Sequence, residues 1–113
     1  MRPLIFGFVV VASLSAAPGG QTQGTQTFIG TITDSVCANA NHSSMQMGPT
    51  DAECVIACID AHGATYVLFD GKDVYTLSDQ QTPEEFAAQK VRVTGTLNAA
   101  TKTIQVDSIS AVN

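Results

Sequence analysis

Apolar and polar positions alternate with a period of two in several stretches of this chain, separated by one long aperiodic segment and two stretches with helix-end signals. The first alternating stretch is Thr27-Phe28-Ile29-Gly30-Thr31-Ile32-Thr33-Asp34. There Phe28, Gly30 and Ile32 share one parity, which predicts a strand starting near Gln26 with Gly30 as a bend. Ser35 to Pro49 has no period and carries Asn, Ser, Gly and Pro, the composition of a long loop, and loops of this length usually have a function. Thr50 with Glu53 three residues on forms a capping box, and Gly63 sits where a helix C-terminal glycine belongs, so a helix is predicted over Asp51 to His62.

Ala64 to Phe69 and Asp73 to Leu77 are rich in β-branched and aromatic residues. They flank Asp70-Gly71, a dipeptide suited to a type I′ turn, and so predict a hairpin. Thr82-Pro83-Glu84-Glu85 repeats the cap logic, with Thr82 as cap and Pro83 first in a short helix running to about Gln89 and anchored by Phe86. Val91, Val93, Gly95 and Leu97 then alternate, Asn98 to Thr101 turn, and Ile104 and Val106 alternate again. Ile109 and Ala111 have the opposite parity, which predicts a bulge near Asp107-Ser108. The expected fold is mainly β: a small five-stranded OB-like barrel with one helix after strand 1 and a short helix between strands 3 and 4. An immunoglobulin-like sandwich needs about seven strands. In OB barrels the connection between strands one and two rims the binding surface. Here it holds every cysteine of the chain.

The N-terminus has a different character. Met1-Arg2-Pro3, the apolar run Leu4 to Leu14 and Ser15-Ala16-Ala17 have the layout of a secretory signal, assigned to residues 1–17. The run is about a dozen residues, short of the ~20 a spanning helix needs, and no cysteine near the cut supports a lipid anchor. Residues 18–27 read as a flexible linker and 28–113 as the folded domain, exported to a periplasm or secreted. A chain of 113 residues has room for one domain of this kind, and its 44% apolar content argues against disorder. Loss of Arg2 leaves Lys72, Lys90, Arg92 and Lys102 against ten acidic residues, a formal balance of −6. That charge, with the cations scattered, argues against a nucleic-acid partner and against a polybasic membrane contact.

Three cysteines, Cys37, Cys54 and Cys58, enter an oxidising compartment if the chain is exported, and an odd number is not exhausted by pairing. On the helical wheel Ala52, Val55, Ile56 and Ile59 form a stripe that should dock on the barrel. Asp51, Cys54, Cys58 and His62 gather on the adjoining flank, neither core nor fully exposed, while Glu53 and Asp60 face water. Cysteines at i and i+4 are poorly aimed for a mutual disulfide but can share a third partner. One such partner is a metal ion held by Cys37, Cys54 and Cys58 with His42 or His62, a donor set for Zn(II), or for Cu(I) with Met45 or Met47. Another is Cys37 itself, whose disulfide to Cys54 or Cys58 would stabilise by about 3 kcal/mol. A redox-active thiol pair is a third possibility, although Cys-x3-Cys is not the thioredoxin spacing. Tyr66, Phe69 and Tyr75 are expected mostly in the barrel core rather than as a base-stacking platform, and Asn41-His42-Ser43 matches a glycosylation acceptor. No nucleophile with a local base, phosphate-cradling glycine loop or paired-carboxylate signature is evident, so no enzyme is expected.

The run Gly30-x-Ile32-x-Asp34-x-x-Cys37, then His42, Cys54-x3-Cys58, Gly63-Ala64-x-Tyr66-Val67-Leu68, Val74-Tyr75-x-Leu77, Val91-x-Val93-Thr94-Gly95 and Ile104-x-Val106-x-Ser108-Ile109, resembles a group of small exported bacterial domains of unassigned function. The resemblance implies a signal peptide, a compact β domain and a cysteine-bearing insertion after the first strand. The expected function is that of a non-enzymatic, monomeric binding domain whose partner is a soft metal ion, Zn or Cu. The alternative is a disulfide-stabilised module that binds an extracytoplasmic protein without metal.

Overall fold

The computed structural model describes residues 24–43 and 46–112. The expected signal segment, 1–17, and residues 18–23 of the expected linker lie outside the described residues, as do Ser44, Met45 and Asn113. The strand expected near Gln26 is β1 (Gln26–Asp34), followed by α1 (Asp51–His62), β2 (Tyr66–Phe69), β3 (Val74–Leu77), a 3-10 turn (Thr82–Phe86), β4 (Lys90–Asn98) and β5 (Thr103–Ala111). The order β1-β2-β3-β5-β4 closes back on β1, so the strands form a ring of hydrogen bonds. β1 pairs antiparallel with both β2 and β4, while β3 meets β5 in parallel through Thr76 opposite Thr103 and Leu77 opposite Ile104. Among the described residues no helix is long and apolar enough to cross a membrane.

Alternation decides what fills the ring. Ile32, Leu68, Leu77, Val91, Val93 and Ile104 are buried together, with Tyr66 and Ala87, and Val55 of α1 joins them. Ala52, Ile56 and Ile59 pack against the same cluster, so the predicted apolar stripe of the helix docks as its spacing demands. Tyr66 is buried, whereas Phe69 and Tyr75 are half-buried, Tyr75 tilted against Phe28 with ring centres 5.4 Å apart. The parity change in the last strand is a bulge: Thr94 faces Ser108 and Gly95 faces Val106, leaving Asp107 as the extra residue.

Two local expectations are corrected. The hairpin turns one residue later than a two-residue Asp70-Gly71 turn requires, because Gly71 takes φ 101° while the Asp70 carboxylate accepts from the backbone N–H groups of Lys72 (2.8 Å) and Asp73 (2.6 Å). The segment after β3 is a single 3-10 turn, and Thr82 is not its cap. Asp79 takes that role, its Oδ1 accepting from the N–H groups of Gln81 (2.9 Å) and Thr82 (3.0 Å). Gln80 beside it braces β2, accepting from the Tyr66 N–H and donating to the carbonyls of Tyr66 and Leu77.

Candidate metal centre

The site begins where β1 ends. Asp34 is fully buried, and its Oδ1 accepts from the N–H groups of Val36 (2.9 Å) and Cys37 (2.8 Å), which folds the chain tightly back after the strand. The Cys37 carbonyl accepts from Thr33 Oγ1 and from the Ala40 N–H, each at 2.8 Å, and Ala40 adopts the left-handed φ of 64° to reach it. Ser35 N–H donates to the Thr65 carbonyl and Thr65 N–H to Ser35 Oγ, pinning the two ends of the connection together. Cys37 is thereby fixed on both its amide and its carbonyl side.

Helix α1 supplies the other sulfurs. Its start is set as predicted, Thr50 Oγ1 accepting from the Glu53 N–H at 3.1 Å. Its end is set by Gly63 at φ 66°, a conformation that costs a residue with a Cβ, while the Ala64 N–H reaches back to the Cys58 carbonyl. With Val55 locked into the core, the wheel turns Cys54 and Cys58 toward Cys37. The flank was expected to be half-exposed. Instead both thiols are 0% exposed, and the 35–49 loop contributes the Met47 N–H, which points at Cys54 Sγ from 3.5 Å.

A carboxylate oxygen of Asp34 and the sulfurs of Cys37 and Cys58 lie within 4.8 Å of one another, all buried. Cys54 lies one turn before Cys58, near enough to raise both other thiols. Burial pushes the Cys58 thiol up to about 12, and the neighbouring Asp34, Cys54 and Cys37 push in the same direction. The Cys37 thiol is raised first by burial, then by Asp34 and Cys54, against a hydrogen bond from Cys58 that favours its thiolate. Packed donors of like charge hold their protons until a cation shares the space, and a coordinating metal removes those protons outright. No disulfide joins two of the cysteines among the described residues.

One atom in this group has no partner. Asp34 Oδ2 is buried with no hydrogen bond, a condition that costs about 1–3 kcal/mol and is rare in folded proteins. His42 is also buried, 5% exposed with its Nδ1 unpartnered, but it stands outside the 4.8 Å group. His62 is exposed in the last turn of α1, as is Asp51 in the first, so neither joins the buried group. Met47 is half-buried and Met45 is outside the described residues. Thus Cys37 and Cys58 come together with a carboxylate absent from the expected donors, Asp34, and Cys54 lies near them, while Cys54 and His42 are both buried outside the 4.8 Å group and His62 is exposed.

No protein-family model matches the chain, and no curated protein or solved structure matches it.

Proposed function

We propose that this chain is an exported, non-enzymatic binding domain on an OB-like barrel, and that it holds one Zn(II) ion through Asp34, Cys37 and Cys58 with Cys54 as the fourth donor. The carrying observation is the unpartnered Asp34 Oδ2 beside buried sulfurs. A Cys37–Cys58 disulfide would use both sulfurs and still leave that oxygen unsatisfied, whereas a cation satisfies the oxygen and the thiolates together. Tetrahedral zinc with bonds of about 2.0–2.3 Å puts neighbouring donors roughly 3.3–3.8 Å apart, so Asp34, Cys37 and Cys58, already within 4.8 Å of one another, need only a modest contraction, and Cys54 would have to close on them. The oxygen donor favours zinc over Cu(I), which selects thiolates and thioethers.

The experiment is a zinc titration of the reduced mature protein against a chromophoric chelator, with native mass spectrometry for stoichiometry. One equivalent bound by the wild type, and its loss in Cys37→Ser and in Asp34→Ala, is the expected outcome. Failure of the reduced wild type to retain zinc, together with a single free thiol in protein purified from the exported fraction, makes the disulfide-stabilised interaction module the correct alternative.

A further inference from the structure

The donor group is not uniformly sealed. Asp34, Cys54 and Cys58 are 0% exposed, while Cys37 retains 6%, and Cys37 also lines a cleft of about 600 Å³. One wall of the cleft is the chain from Val36 to Asn41, and the other is the β2–β3 hairpin with Phe69, Lys72 and Val74. Its volume suits a small-molecule ligand. Lys72 is the one cation on this wall. Among the described residues the ion pair formed is Lys102 with Asp73, and Lys72 lines the cleft without an ion pair of its own, although its charge also acts on Asp73.

Those facts bear on how an ion reaches the centre. A metal site needs an entry path as well as donors. Here the cysteine that keeps some exposure is the one that lines the cleft, and Asp34, Cys54 and Cys58 have none. The chain's net charge is strongly negative, so an anionic carrier is repelled by most of its surface and attracted locally where a lysine stands at the opening. Resting on the zinc proposal above, we infer that the cleft beside Cys37 is the port through which zinc enters and leaves, delivered and removed as an anionic low-molecular-weight carboxylate chelate that docks on Lys72. Transfer exchanges ligands without a redox change: Cys37, nearest the cleft, is the first thiolate to gain or lose the ion, a carboxylate of the carrier taking its place on zinc while the thiolate recovers a proton from water.

The test uses zinc-loaded mature protein and follows first-order zinc transfer to a tetracarboxylate chelator and, separately, to the neutral chelator 1,10-phenanthroline. Val36→Trp fills the cleft from a side chain that is 45% exposed and outside the core, and Lys72→Glu reverses the charge at an exposed position. Val36→Trp is expected to slow transfer to both chelators severalfold with zinc stoichiometry and affinity unchanged. Lys72→Glu is expected to slow the carboxylate chelator by about tenfold at low salt, to lose that effect at high salt, and to leave phenanthroline transfer alone. Loaded variants that all transfer at the wild-type rate overturn the port while leaving the zinc site standing. A Lys72→Glu rate unchanged for the carboxylate chelator overturns the anionic carrier. A wild-type protein that binds no zinc overturns the site itself, and the port falls with it.

Discussion

The interior of the closed sheet is filled by Ile32, Leu68, Leu77, Val91, Val93 and Ile104, while the flank of α1 that adjoins its apolar stripe is buried with Cys37, Cys54, Cys58 and the carboxylate of Asp34. In the first region every side chain is hydrocarbon, and the strands around it pair their backbone groups in ladders broken only by the Asp107 bulge among the pairs of β1 with β2 and β4 and of β4 with β5. In the second, polar groups are buried as deeply but are not all satisfied: Asp34 Oδ2 and His42 Nδ1 both belong to the connection or its root. Hydrocarbon burial is complete in itself, since its stabilisation is the area removed from water. Burial of donors is complete only when a partner arrives. The two regions meet along α1, whose apolar stripe docks on the core, and at the end of β1, where Asp34 stands; since the hydrocarbon core needs no partner, the sheet should stand with the centre empty, and the centre should answer to its ligand.

Damage to the sheet should leave zinc binding intact. Leu68→Ala removes a fully buried side chain from the middle of the ring and should cost about 2–5 kcal/mol in urea unfolding. The same loss is expected with and without zinc, and the folded variant should still take one equivalent. A loss that depends strongly on zinc would show that sheet and centre are one cooperative unit.

Next in size is a substitution at the centre whose effect should change sign. Asp34→Asn keeps the oxygen that holds the Val36 and Cys37 amides, removes the charge, and offers the neighbouring sulfurs an N–H where Oδ2 has no partner. The zinc-free protein should gain about 1 kcal/mol, because a buried unsatisfied acceptor is gone. The zinc-loaded protein should be less stable than loaded wild type, since a weaker site contributes less binding free energy to folding. Parallel thermal melts of both forms check this, and a variant destabilised in both would make Asp34 a purely structural turn residue.

A titration sharpens the same contrast. Cys58 carries its proton up to about 12 in the fold against an ordinary thiol value of 9.0, so the native state binds more protons than the unfolded chain between those values. The stabilisation is therefore complete below about pH 9 and is lost as pH rises toward 12. Cys37, Tyr66 and Tyr75 are raised as well and act in the same direction. Zinc cancels the thiol part alone, because coordinated thiolates have already lost their protons. The zinc-free protein should lose roughly 5 °C more in Tm than the loaded one between pH 8 and 10, an amount corresponding to about 1 kcal/mol in a domain of this size.

How much of this was legible in the sequence follows from what each element depends on. Strand parity depends on burial alone, so β1, β4 and the Asp107 bulge could be read from Ile32, Val91, Val93 and the change of phase at Ile109. Helix α1 was legible because Thr50, Glu53 and Gly63 act locally. The turn after β3 was misread because Thr82-Pro83 has the local form of a cap, whereas the carboxylate that takes the role lies three residues before Thr82. Asp34 was passed over for a different reason. Asp34 shares the parity of Phe28, Gly30 and Ile32, so an inward-facing carboxylate was visible in the pattern, yet its meaning depends on a sulfur 24 positions away on Cys58. His42 and His62 were attractive by residue type, and nothing in their spacing says that one would stand apart from the donors and the other in water.

The smallest expected effect lies on the sheet side, at the turn that was misread. Asp79 accepts from the Gln81 and Thr82 N–H groups, and the Thr82 side chain together with those amides holds its carboxyl below the ordinary value of 3.8. A carboxylate whose folded value is depressed stabilises above the unfolded value, and that contribution disappears as pH falls through the folded one. Asp79→Ala should therefore cost about 1 kcal/mol at neutral pH, the usual worth of a cap. The gap between variant and wild type should narrow once pH drops below 3.8, where the carboxyl begins to protonate in the unfolded chain. Because Asp79 belongs to the link between β3 and β4 and touches none of the donors, the gap should be the same with and without zinc at neutral pH. A Thr82→Ala variant provides the control: it removes one hydrogen bond to the carboxylate and leaves both amides, so its loss should be the smaller of the two, and a larger loss would return the capping role to Thr82.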